Sequence, residues 1–107
     1  MTVFGVLAEP RRRAILDLVR DGERSVGELV ATLSMSQPAV SKHLRVLREA
    51  GLVEARVAEQ RRLYRLRPGP LHELDAWLAP YRRAWPASLD KLAGQLDEMA
   101  AGERRAH

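Results

Sequence analysis

A mostly α-helical domain carrying one small β-hairpin is the fold class that this sequence predicts, and three observations predict it. Apolar residues recur at three- and four-residue intervals over residues 9–21, 25–33 and 36–50, the period of helices with one buried side. Residues 53–58 (VEARVA) and 62–67 (RLYRLR) instead alternate in period two, as paired strands do. From Leu71 to position 99 the apolar spacing averages about 3.5 residues, the repeat of a long helix with an apolar seam. A chain of 107 residues suits a single domain over 1–107.

The elements follow in order. Val3 to Ala8 reads as a short helix or an arm. Residues 9–21 read as a helix with Pro10 in its first turn, a stripe of Ala14, Ile15, Leu18 and Val19, and Gly22 at the stop position. Ser25 and Glu28 have the spacing of a capping box, and Val26, Leu29, Val30 and Leu33 make the buried side of the helix they open. After a two-residue turn at Ser34 and Met35, Ser36 caps the next helix, with Pro38 in its first turn and Val40, Leu44 and Leu47 facing inward. Gly51 follows where a left-handed residue is needed. The hairpin connection, Glu59-Gln60-Arg61, lacks Asn-Gly or Asp-Gly, so its turn type stays open. In the last region Pro80 and Pro86 interrupt the apolar seam, so a kink is expected near one or both, or two helices in succession.

Two short helices joined by so tight a turn form a helix-turn-helix, here 25–50, whose second helix enters the major groove of DNA. A two-stranded ribbon after it, here 53–67, makes the unit a winged helix of ααα-ββ-α order. The charge agrees. Net charge is +4, and residues 53–67 hold five arginines against two glutamates while residues 68–107 are slightly acidic. Positive charge gathered mid-chain suits a polyanion.

The side of 36–50 away from the core stripe supplies the candidate DNA contacts. Lys42 and Arg45 suit phosphate or guanine, and Gln37 suits adenine. Ser36, Ser41 and His43 suit phosphate or base edges, and Ala39 suits a thymine methyl. Arg56, Arg61 and Arg62 on the hairpin are placed for backbone or minor-groove contact. The run Arg11, Arg12 and Arg13 fits either a backbone contact or a solvated face.

Other chemistries lack their residues. There is no Cys, so no disulfide, thiolate metal site or Cys nucleophile. His43 and His72 have no partners at ligand spacing, so no metal site and no cofactor is expected. No phosphate loop or nucleophile elbow is present, and the chain does not read as an enzyme. No apolar run reaches the ~20 residues of a membrane span, and the N-terminus is a poor signal peptide, so a cytoplasmic location is expected.

The segment SQPAVSKHLRVLREAGLV followed by a hairpin reaching RLYRL closely resembles the ArsR/SmtB winged-helix repressors, over about residues 3–100. The resemblance implies a homodimer joined through its N- and C-terminal helices, the latter within 70–100. The interface then includes Val3, Leu7, Leu74, Leu78, Tyr81, Trp85, Leu89, Leu92 and Leu96. It implies that residues 36–50 are the recognition helix and that a palindromic operator in double-stranded DNA is the partner. Arsenic-sensing members carry cysteines where this chain has Ser25, Gly27 and Val30, and the zinc-ligand pattern of other members is absent around His72 and Asp75. The chain therefore looks like a metal-independent branch, and no motif names a small-molecule effector. A winged-helix protein-interaction module with incidental DNA binding is the competing reading. Trp77, Tyr81 and Trp85, on or next to the apolar stripe of the last helix, suit core or dimer packing, with a small-molecule pocket between subunits as the alternative.

Overall fold

The computed structural model describes residues 2–85 and, further on, Gly94, Gln95 and Glu98. Its elements are α1 (Val3–Leu7), α2 (Pro10–Arg20), β1 (Arg24–Ser25), α3 (Val26–Leu33), α4 (Gln37–Glu49), β2 (Val53–Ala58), β3 (Arg61–Leu66) and α5 (Gly69–Ala84). The chain divides into two compact units, Met1–Leu74 and Asp75–His107.

The first unit holds the apolar core. Val6 of α1, Ile15 and Val19 of α2, Leu29 of α3 and Val40, Leu44 and Leu47 of α4 are buried together, and Leu52, Val53 and Tyr64 close the core from the sheet. Helix α2 is the centre of this arrangement, packed against α1, α3, α4 and β3. That many neighbours demand a broader apolar face than one stripe. Leu16 is accordingly buried, whereas Ala14 and Leu18 of the expected stripe are only half-buried.

Local capping explains where the helices start and stop. The Thr2 hydroxyl accepts from the Gly5 N–H at 3.2 Å. At the other end of α1 the orphan carbonyls are met by cations: Arg12 Nε donates to the Val6 carbonyl at 2.8 Å and Arg13 Nη1 to that of Leu7 at 2.6 Å. Two of the three arginines in the run thus cap α1, favourable also to its dipole. The capping box on α3 forms in full: the Glu28 N–H donates to Ser25 Oγ at 3.2 Å, and the Ser25 N–H donates to Glu28 Oε1 at 3.1 Å. The Ser36 hydroxyl accepts from the Ala39 N–H at 3.3 Å and caps α4. Helix α4 ends in a Schellman motif, with Gly51 at φ +76° and N–H bonds of 3.0 Å from Gly51 to the Arg48 carbonyl and from Leu52 to that of Leu47.

The sheet has three antiparallel strands in the order β1-β3-β2. Strand β1 was not expected. It pairs Arg24 with Tyr64 and Ser25 with Leu63, and two residues are too few to display alternation. In the hairpin Ala58 pairs with Arg61, so the connection is Glu59-Gln60 alone and Arg61 belongs to β3. Glu59 takes the left-handed conformation, φ +57°, that so short a loop requires.

Helix α5 is continuous through Pro80 to Ala84, so the chain does not break into two helices there. It stops one residue short of Trp85, the position before Pro86, where helical backbone is disfavoured. No residue of α5 is fully buried. A kink at Pro86 and the seam positions Leu89, Leu92 and Leu96 lie outside the described residues.

Candidate nucleic-acid interface

The turn between α3 and α4 is set by two residues. Ser34 adopts the left-handed conformation (φ 53°, ψ 39°), which ends α3 abruptly, and half-buried Met35 packs against the core beneath it. Ser36 then starts α4 at once. With Val40, Leu44 and Leu47 drawn into the core, the outer face is fixed: Gln37, Ser41, Lys42, Arg45, Arg48 and Glu49 are all exposed.

Two predicted contacts, Ala39 and His43, sit differently from that group. Ala39 and Val46 are half-buried, and Val46 packs against the core. His43 is also half-buried. Its Nδ1 is buried and has no hydrogen-bond partner among the described residues. Burial, then the positive charge of Arg12, pushes the imidazole pKa below its ordinary value; Arg11 and Lys42 add to this and Glu9 opposes it. The half-buried imidazole beside the start of α2 therefore resists protonation more than a free one does.

The wing arginines separate by partner. Arg56 grips Glu23 with both ends of its guanidinium, Nε to Oε1 at 2.9 Å and Nη2 to Oε2 at 2.8 Å, and this hydrogen bonding holds the Glu23 carboxyl below its ordinary pKa. Arg61 lies 3.9 Å from Glu28. Arg65 and Arg67 share Glu54, the latter at 3.6 Å. Arg62 faces no carboxylate among the described residues. On α4, Arg45 pairs with Glu49 at 3.1 Å, while Lys42 and Arg48 have no partner among the described residues.

A cleft of about 620 Å³ separates recognition helix and wing, lined by Ser41, Leu44, Arg45, Arg48, Glu49, Arg62 and Tyr64. Of the predicted contacts, the fold brings Ser41, Arg45 and Arg62 together there, and it directs Arg56 away to Glu23. Arg48 was not among the expected contacts. Its spacing, seven residues from Ser41 and three from Arg45, puts it on the same face, a signal the sequence did carry. Among the described residues no cluster of three or more His, Asp or Glu is placed to hold a metal ion.

A capped, polar and cationic helix presented beyond a tight turn, with a β-ribbon beside it, defines a winged-helix DNA-binding regulator. Residues 9–55 match the bacterial regulatory protein, arsR family. An HTH-type transcriptional regulator of Mycobacterium tuberculosis is 43% identical over 91 residues, covering 85% of this chain and 82% of that protein. An arsenic resistance transcriptional regulator of Pseudomonas putida is 42% identical over 103 residues, covering 95% and 79%. The crystal structure of a possible transcriptional regulator for arsenical resistance superposes with a TM-score of 0.66 at 42% identity, covering 85% of this chain and 92% of that one. The chain belongs to the arsR family of transcriptional regulators, which are not enzymes. No described helix is long and apolar enough to cross a membrane.

Proposed function

We propose that this protein is a homodimeric cytoplasmic repressor that binds a palindromic operator and is not released by metal. The observation that carries the reading is the outer face of α4, where Gln37, Ser41, Lys42 and Arg45 stand exposed behind the Ser36 cap. Ser36 and Gln37 lie at the tip that goes deepest into the groove; Lys42 and Arg45 follow one and two turns later. Arg62 extends the contact from the wing. Ala39, His43, Arg56 and Arg61 have lesser roles, since each is half-buried or faces a carboxylate.

Dimerisation is supported by apolar surface. Trp77, Tyr81 and Trp85 on and just after α5 are 52%, 52% and 45% exposed, a concentration of aromatic area that suits burial against a second copy. Leu7 of α1 borders an apolar recess of about 290 Å³ with Leu16, Leu66 and Leu71, and Val3 is half-buried on the same helix. Two recognition helices related by a twofold axis read half-sites one turn apart, roughly 34–36 Å. Occupying such a site blocks a promoter.

Release without metal is supported by the side chains at the sensing positions. The chain has no Cys, and Ser25, Gly27 and Val30 stand where thiolates are needed. The Ser25 hydroxyl is moreover engaged in capping α3. Footprinting on the promoter of the encoding gene tests the whole reading. A protected palindrome that survives arsenite and zinc is expected; absence of protection at low salt, or release by either ion, overturns the corresponding part. The aromatic face of α5 equally suits a foreign protein, and a stoichiometric partner without salt-sensitive DNA binding favours the interaction-module reading.

A further inference from the structure

We propose that the cleft between α4 and β3 seats a single DNA backbone phosphate, clamped from opposite sides by Arg48 and Arg62. The inference rests on the DNA-binding reading and adds to it a residue and a shared ligand. Three observations lead to it. The first is the pattern of neutralisation. Four of the five wing arginines face Glu23, Glu28 or Glu54, and Arg45 on α4 pairs with Glu49. Arg48 and Arg62 have no such partner among the described residues, yet they line one cleft. Two unneutralised arginines lining one cleft give it an excess of positive charge, which an anion seated there offsets. The second is the wall: Leu44 and Tyr64, both buried, floor the cleft and keep solvent from one side of it, which strengthens attraction for an anion. A guanidinium fork also matches two oxygens of a phosphodiester.

The third observation is position along the helix. Arg48 lies 11 residues beyond Gln37, roughly 16 Å along α4 at 1.5 Å per residue. The major groove is about 12 Å wide. With the tip of α4 among the bases, Arg48 therefore stands at the groove's rim, where the backbone runs between the recognition helix and the wing. Arg48 and Arg62 thus position the protein and carry no sequence information.

The test is fluorescence anisotropy of the full chain on its own promoter duplex and on an unrelated duplex, at 50–300 mM salt. The variants are Arg48→Gln, Arg62→Gln and the double substitution, with circular dichroism and thermal melting to check that each is folded. Each single variant should weaken both duplexes alike by roughly 5- to 20-fold. The slope of log affinity against log salt should change little in either single variant, because the remaining guanidinium still neutralises the phosphate. The double variant should lose about 0.9, the value for one phosphate and not for two. A methylphosphonate at the contacted position should weaken the wild-type protein and leave the double variant indifferent. A slope loss of about 0.9 in each single variant with twice that in the double variant, an unchanged slope in the double variant, or a loss confined to the promoter duplex overturns the clamp while leaving the regulator reading intact. Wild-type binding that is absent or insensitive to salt overturns both.

Discussion

Arg56 and Arg62 lie six residues apart on one hairpin and look interchangeable in sequence, but their surroundings separate them. Arg56 is committed to Glu23 by hydrogen bonds of 2.8 to 3.1 Å, while Arg62 is open to the cleft beside α4. Arg56→Ala should accordingly leave DNA affinity nearly unchanged under conditions where Arg62→Ala weakens it, a contrast that one anisotropy series resolves. Lys42 has no carboxylate partner among the described residues, so Lys42→Ala should cost about 1–3 kcal/mol of operator binding if it makes a base contact. A phosphate contact instead weakens every duplex equally. His43 titrates differently. Its folded pKa is depressed by burial and by the facing Arg12, Arg11 and Lys42, with Glu9 opposing, so the unfolded chain binds the proton more readily. The resulting stability is complete above about pH 6.5 and is lost as pH falls toward the lower folded value. Thermal melts at pH 7.5 and 5.5 should show a smaller acid-side loss in His43→Gln than in the wild type; equal losses would place the sensitivity in other groups.

At the scale of elements, α4 owes its orientation to its two ends and its buried stripe. Gly51 closes the helix at φ +76°, and an added Cβ there meets only Pro70 at an ordinary 3.7 Å. Gly51→Ala should therefore destabilise by backbone strain alone, about 1–2 kcal/mol, measurable by urea unfolding. Leu44→Ala, at a fully buried position, should cost about 2–5 kcal/mol and also undermine the floor of the cleft. The caps at Ser25, Ser36 and Gly51 were legible in the sequence because each involves partners within about five residues. The wing was legible as two strands but not in its register. The connection proved one residue shorter than expected because Arg61 completes a pair with Ala58, a matter of cross-strand hydrogen bonding that alternation does not encode. Strand β1 was invisible for a related reason. Arg24 and Ser25 become a strand only because β3 lies beside them.

At the scale of the whole molecule, the proposed dimer turns on the exposed aromatic residues of the second unit. Trp77 and Tyr81 pack on each other within α5, with ring centroids 4.8 Å apart, and more than half of each remains exposed. Placing Asp at both positions should convert a dimer to a monomer by light scattering and remove tight operator binding with it. A persisting dimer would locate the interface elsewhere. If the dimer makes 6–10 phosphate contacts, affinity should fall by about 10³–10⁵ between 50 and 200 mM salt.

What the chain's residues determined unaided was carried by short range: the caps at Ser25 and Ser36, the left-handed stop at Gly51, the apolar periods, and hence a polar, cationic helix with a ribbon after it. What only the tertiary structure decided was how like residues divide between roles. Arg12 and Arg13 close the end of α1, Arg56 finds a carboxylate 33 positions away, His43 turns toward the start of α2, and Arg48 and Arg62 come to line one cleft. The physical reason is reach. A cap or a period depends on neighbours a turn away, whereas the partner of a long charged side chain depends on which distant segments the core has brought within a few ångströms.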